Sequence, residues 1–260
     1  MLGAIIGDLA GSVYEFDQVK QHSKVKVNNL IENNAFYSDD TILTVAIADA
    51  ILNNVSYEEK LREYALMYND AIPQNIPYFE TMFSPNFVKW AKREKDGTSE
   101  GNGAMMRISP VGFLFDSEEK VIKNAYLATI PSHNSESAIK CAKTIALTIF
   151  YARKGLSKSE IINKLNLKIV EPNITHFNYT CQDTIDLCLY CIFQANSFED
   201  SMKLAISYGG DTDTNACIVG SMAEAFNGID SKLKQKAISK LPLQFIEIIN
   251  NFYKRIRNNK

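Results

Sequence analysis

Residues 1–260 read as an all-α protein, a compact single domain of many helices packed orthogonally across one another. Three observations predict this. Apolar residues recur at three- and four-residue spacing along most of the chain, which is the periodicity of a helix with one face buried. Alternating apolar–polar patterns are scarce; the best, "VKQHSKVKVNN" (19–29), reads as loop or a short ribbon. No Pro/Gly/Ser-rich linker or low-complexity segment divides the chain, so one domain is expected.

Taken in order, the first helical stretch carries Gly3, Gly7 and Gly11 on one face, with Ala4, Ala10 and Ser12 around them. Glycine costs a helix about 1 kcal/mol per residue against alanine, so such spacing calls for a reason. Close helix–helix packing is one, and close approach of backbone to a ligand is another. Thr41 to Leu52, Glu58 to Asn69, Ser135 to Ala152 and Ser157 to Leu165 follow as amphipathic or buried helices. Ser157 with Glu160 three residues on is a helix-start signal. Asp183 to Gln194, Thr214 to Phe226 and Leu243 to Ile256 complete the set, and Asn227 or Gly228 supplies the stop after Phe226.

Composition excludes several function classes. With 46% apolar and 22% charged residues and a net charge of −2, the chain has the balance of a globular protein and no pull toward nucleic acid or anionic membrane. The basic end "YKRIRNNK" is too short to change that. No basic residue precedes the apolar N-terminal stretch and Asp8 interrupts it, so neither a signal peptide nor a membrane span is expected. The glycosylation triplets at Asn54, Asn173 and Asn178 then carry no meaning. Five cysteines outside a secretory context point to reduced thiols and a cytoplasmic setting.

Two acidic knots stand out, "YSDDT" and "GGDTDTNA". Asp39 and Asp40 fall where a helix begins, and a carboxylate there is favoured by the exposed first-turn N–H groups. Two adjacent carboxylates repel unless a cation neutralises them. The capping reading and the metal reading both stand at this point. Asp211, Asp213 and Asn215 imitate the start of a calcium loop, but Ala216 stands where glycine is needed and Met222 where a bidentate glutamate is needed. An aspartyl-phosphatase reading fails because a helix, not a strand, surrounds the pair. Pooled, Ser38, Asp39, Asp40, Asp211, Asp213 and Thr214 offer the hard oxygen donors that Mg²⁺ takes, provided their helices pack side by side. Zinc fits less well: His22, His133 and His176 are scattered, and Cys188 and Cys191 lie in an apolar helical run near Cys181.

A third element, "SEGNGAMMRISPVGFLF", can bring backbone N–H groups at Gly101, Asn102 and Gly103 close to a phosphate, although no Gly-Lys-Ser/Thr follows. Arg107 could pair with a phosphate or with a buried acid. His133 and Asn134 precede another helix.

Five stretches in this order, "GAIIGDLAGSVYEF", "SDDT", "GNGAMMR", the histidine of "SHNSES" and "GGDTDTNA", resemble the ADP-ribosylglycohydrolase family. The resemblance runs from Met1 to Gly228. It implies an all-α fold with a cleft holding a binuclear centre of two Mg²⁺, with Mn²⁺ possible in their place. By motif position, Ser38, Asp39, Asp40, Asp211, Asp213 and Thr214 would be metal ligands. Glu15, Asp40 and Asp213 would form the catalytic set, with Glu15 matching an acidic residue near the scissile bond. Asp8 would stand near the site in a structural or a direct role. Gly101, Asn102, Gly103 and His133 would line the ADP-ribose pocket, and Gly209 and Gly210 would let backbone pass close to the substrate.

The reaction so implied is hydrolysis of the bond between ribose C1″ and an acceptor, through an oxocarbenium-like transition state. The expected partner is an ADP-ribosylated protein, for instance at arginine, or a small ADP-ribose conjugate, acted on by a monomer. The stretches 69–100 and 165–184, read as loops rich in Tyr, Phe and Asn, would set specificity, with Tyr78, Phe79 or Trp90 as candidates either to stack on adenine or to plug the core.

Overall fold

The computed structural model describes residues 1–15, 25–73 and 81–258. The described residues form helices and loops with no strand; two isolated bridges, Thr98 with His133 and Gly101 with Thr180, are the extended pairings. The part of the expected ribbon that is described, 25–29, is irregular, and 19–24 lies outside the described residues.

The order begins with α1 (Leu2–Gly11), α2 (Asp39–Asn53), α3 (Tyr57–Met67), α4 (Pro85–Ala91) and α5 (Gly103–Met106). Next come α6 (Ser109–Leu114), α7 (Glu118–Thr129), α8 (Glu136–Arg153), α9 (Lys158–Leu165) and α10 (Cys181–Gln194). The chain ends with α11 (Phe198–Ser207), α12 (Thr212–Asn227), α13 (Ser231–Ile238) and α14 (Leu243–Asn258). The capping box of Ser157 and Glu160 is formed, and Gly228, at φ 67°, ends α12. Four helices that periodicity passed over, α4, α7, α11 and α13, start with side-chain caps at Ser84, Ser117, Ser197 and Asp230. The segment 69–100 is therefore not all loop.

The core is one connected apolar cluster, and α12 runs through it, buried on every side from Thr212 to Ala223. Past its polar first turn the helix is apolar or small on nearly every face, as suits an interior position. Against it packs α1, also buried throughout. The contact between them is backbone on backbone. A Cβ built on Gly3 would lie 2.2 Å from the Gly220 carbonyl oxygen, one on Gly7 2.1 Å from that of Ala216, and one on Gly11 2.2 Å from that of Thr212. Numbers rise along α1 as they fall along α12, so the helices are antiparallel. The glycine spacing thus serves helix packing.

This sets up a contest of signs at Gly7. Alanine should gain about 1 kcal/mol in helix propensity. Overpacking a tight core costs about 1–3 kcal/mol, and here the clash is with rigid backbone. With a backbone oxygen 2.1 Å from the new Cβ the cost falls at the upper end, so Gly7→Ala is expected to lower the unfolding free energy by about 2 kcal/mol net in urea denaturation. A stabilised Gly7→Ala protein would show that the two helices are not in backbone contact.

Candidate active site

The site grows from the starts of α2 and α12. At α2 the N-cap is Ser38, whose hydroxyl oxygen accepts from the Asp40 N–H (3.3 Å). The cap reading of Asp39 and Asp40 is thereby corrected: the serine does the capping, and both carboxylates stand in the first turn, with Asp40 Oδ1 left unpartnered. Asp8, projecting from α1, fixes this start. Its carboxylate accepts from the Ser38 N–H (2.9 Å), the Ser38 hydroxyl (2.9 Å) and the Thr41 N–H (3.1 Å). Those bonds occupy Asp8 as a strut between α1 and α2.

At α12 the chain turns through Gly209 (φ 75°) and Gly210 (φ 73°), a conformation that favours glycine. Asp211 is the N-cap but makes no side-chain cap bond, so its carboxylate is also free to face the cleft. The glycines themselves do not line the cleft. Gly209 gives its carbonyl to the Asn215 amide (3.2 Å), and a Cβ on Gly210 would sit 2.1 Å from Asn178 Oδ1. Turn geometry and Asn178 account for both.

The two knots meet. Thr214 Oγ1 donates to Asp40 Oδ2 (3.2 Å) across 174 residues of sequence. Single carboxylate oxygens of Glu15, Asp211 and Asp213 lie within 4.8 Å of one another. These acids open onto a cleft of about 860 Å³ that Glu15, Asp39, Asp211, Asp213 and Thr214 help to line. Gly101, Asn102, Gly103, Arg107 and His133 line it too, as do Phe83, Phe87, Phe177 and Tyr179. Trp90 does not: it is buried under the Arg62 guanidinium (4.1 Å from the ring centre) and beside Phe87, so it belongs to the core. Tyr78 and Phe79, like His22, lie outside the described residues. The zinc alternative gains nothing, since Cys181, Cys188 and Cys191 are buried free thiols and His176 is exposed.

Extended chain positions the middle of the cleft. Segment 97–102 pairs on one side with 132–134 (Ser99 N–H to Ser132 O, 3.2 Å; Asn134 N–H to Gly97 O, 2.7 Å). On the other it pairs with 179–181 (Asn102 N–H to Tyr179 O, 2.9 Å; Cys181 N–H to Glu100 O, 2.8 Å). Asn102 then turns its amide to Asp211 Oδ2 (2.7 Å) and to the Asn178 carbonyl (3.2 Å). Asn178, fully buried, also accepts from the Asp211 N–H (3.0 Å) and donates to Asn215 Oδ1 (2.8 Å). Sequence reasoning met Asn178 only as a glycosylation triplet. Nothing in its local sequence marks it, because its partners lie in three other segments.

Electrostatics supply the test of whether a metal fits. Burial first, and the Asp213 carboxylate second, push Asp8 up to about 7, Asp39 to about 8 and Glu15 to about 10. Asp40 and Asp211 are raised well above the ordinary range for the same reasons. Asp40 Oδ1 and Glu15 Oε2 are buried without a hydrogen-bond partner. Oxygen-rich, mutually repelling and partly unsatisfied, this donor set fits hard divalent cations.

Fold and site together define an all-α protein with an acidic, metal-type cleft. The chain belongs to the ADP-ribosylglycohydrolase family, whose model it matches over residues 1–260, and whose members hydrolyse ADP-ribose glycosidic linkages. It is 22% identical to ADP-ribosylarginine hydrolase Tri1 of Pseudomonas putida, over 88% of this chain and 70% of that protein. It is also 22% identical to ADP-ribosylhydrolase ARH3 of Danio rerio, over 89% of this chain and 82% of that one. A solved structure titled ADP-ribosylglycohydrolase-related protein complex superposes with a TM-score of 0.74 at 18% identity, covering 98% of this chain and 96% of its own, and so shares the fold. Among the described residues no helix is long and apolar enough to cross a membrane.

Raised folded-state values fix a sign. A carboxyl group whose affinity for a proton rises on folding lends stability that is complete below the unfolded value, about 4, and lost as pH climbs through the folded one. For Asp8 and Asp39 that window closes at about 7 and about 8. The metal-free protein should therefore melt at a lower temperature at about pH 8 than at about pH 5. Added Mg²⁺ should raise Tm more at the higher pH, where the ligands are ionised. Calorimetry in EDTA and in Mg²⁺ checks this; a Tm indifferent to both pH and cation would refute the site's electrostatics.

Proposed function

We propose that this protein is a divalent-metal-dependent hydrolase that removes ADP-ribose from a modified protein side chain, arginine being the acceptor we favour. The carrying observation is the convergence of Glu15, Asp211 and Asp213 within 4.8 Å, joined to Asp40 through Thr214, in a cleft of about 860 Å³. That volume is within the usual range of small-molecule sites, about 300–1,000 Å³. An arginine acceptor draws support from the likeness to ADP-ribosylarginine hydrolase Tri1.

In this reading Ser38, Asp39, Asp40, Asp211, Asp213 and Thr214 would hold two Mg²⁺, or Mn²⁺ in their place, which would supply positive charge to the site and lower the pKa of a water. The chain's own groups do the rest. Asp8 holds the first turn of α2 at a fixed distance from α12, and Asn102 and Asn178 hold Asp211. Asp40 and Asp213 orient the attacking water on the face of the ribose turned to the acids. Glu15, with Oε2 unpartnered and a raised affinity for its proton, delivers or accepts that proton at the bond being broken. Gly101, Asn102 and Gly103 offer backbone to the diphosphate, and His133 offers a side-chain contact beside them. Phe177 and Tyr179, with Phe87, present apolar surface for adenine.

Free ADP-ribose released from arginine- and serine-ADP-ribosylated peptides, with Mg²⁺ and with EDTA, tests the proposal. Metal-dependent release from the arginine peptide is expected; release from the serine peptide alone would move the acceptor assignment, and release from neither would remove it. Asp213→Asn should cut metal-dependent turnover by more than about a hundredfold with the fold retained by circular dichroism. Glu15→Gln should lower kcat by about 10²–10⁴ and leave ADP-ribose affinity nearly unchanged. Normal turnover by either variant would strike that residue from the mechanism.

A further inference from the structure

Arg107 sits at the end of α5, fully buried against the cleft, with its Nε and Nη1 lacking hydrogen-bond partners and, among the described residues, no carboxylate in an ion pair with it. Its Nη2 donates to Ser132 Oγ at 2.7 Å and to the Ala128 carbonyl at 3.3 Å. Ser132 Oγ in turn lies 2.7 Å from His133 Nδ1, and Arg107 Nη2 lies 3.4 Å from that same nitrogen.

The direction of the chain of hydrogen bonds follows from valence. A guanidinium only donates. Ser132 Oγ therefore accepts from Arg107, and its single proton is left to donate. Across 2.7 Å the acceptor is His133 Nδ1. A proton on Nδ1 instead would face an N–H of Arg107 and leave the serine proton without an acceptor. With Nδ1 accepting, the ring proton resides on Nε2. That atom lies over the glycine loop: side chains on Gly103 and Gly101 would start 3.3 and 3.7 Å from it. Among the described residues Nε2 makes no hydrogen bond, and His133 lines the cleft.

We propose that Arg107 and Ser132 are positioning residues that lock His133 as the Nε2-protonated neutral tautomer, a fixed donor to an oxygen of the bound ligand at the Gly101–Gly103 loop. This rests on the reading of the cleft as an ADP-ribose site. The partner chemistry is a hydrogen-bond acceptor, as a phosphate oxygen is. The charged group facing the ring is Arg107, and burial followed by that charge holds the imidazole well below its ordinary pKa. His133 is thereby unavailable as a base, which leaves proton transfer to the carboxylates.

The tautomer is read directly by long-range nitrogen–proton NMR on full-length protein labelled with ¹⁵N-histidine. The expected spectrum has Nε2 protonated and Nδ1 bare, unchanged between about pH 6 and about pH 8. A protonated Nδ1, or an imidazolium in that interval, overturns the proposal whether or not any ligand binds. Calorimetric titration with ADP-ribose then tests the consequence. Ser132→Ala should weaken binding roughly tenfold with kcat little changed. His133→Gln, whose amide N–H can stand in for Nε2–H, should retain most of the affinity. Equal affinity for Ser132→Ala and wild type overturns the positioning role. Failure of wild type to bind ADP-ribose would instead refute the ligand reading, with the tautomer still decided by the spectrum.

Discussion

Everything in this molecule that concerns chemistry hangs from the backbone contact between α1 and α12. Side chains would normally separate two helices by 8–10 Å. Here glycine at every fourth position of α1 lets the carbonyls of Thr212, Ala216 and Gly220 press on bare backbone. The approach carries Asp8 and the end of α1 to the first turn of α12, next to Asp213. Asp8 then reaches α2 and sets its start. Three helix ends, and with them the acids of both knots, are fixed by one packing choice. Rigidity there is a requirement, because carboxylates that repel one another would move apart on a yielding scaffold.

The acids are held by neutral groups. Ser38, Thr214, Asn102 and backbone N–H groups provide the hydrogen bonds. Hydroxyls and amides orient a carboxylate without cancelling its charge. A lysine or arginine in the same places would have satisfied the acids and lowered their need for a metal. The nearby buried cation, Arg107, gives its Nη2 to Ser132 and the Ala128 carbonyl and, among the described residues, pairs with none of the site's acids. The cleft thus keeps an uncancelled demand for positive charge, and the groups that orient its carboxylates have no charge to offer.

The long helices and both acidic knots were legible in sequence because their signals are local: periodicity within α2, α8, α10, α12 and α14, and carboxylates crowded into a few positions. The meeting of the knots was legible as a conditional, and Thr214 to Asp40 is the bond that satisfies the condition. The helices α4, α7, α11 and α13 were less visible, although Ser84, Ser117, Ser197 and Asp230 are readable caps; α4 and α13 are too short for periodicity to repeat, and length does not account for α7 and α11. Trp90 carried two readings, adenine stacking and core, and the core reading holds; an aromatic in a polar stretch does not itself reveal that Arg62 covers it. Asn178, Ser132 and the extended pairing around 97–102 had no signature, because each is defined by partners brought from distant segments.

The antiparallel pairing also has a consequence in time. Gly11 and Thr212, which touch in the folded protein, are 201 residues apart in sequence. At a synthesis rate of about 5–20 residues per second, the end of α1 waits on the order of 10–40 s after emerging before its partner exists. Through that interval α1 presents a bare, apolar, glycine-lined face with nothing of its own chain to cover it. Closure is a long-range event, slow by topology. The cleft is consequently among the last features that synthesis can complete, and a chain stopped short of α12 holds Asp8, Glu15, Asp39 and Asp40 without Asp211 and Asp213.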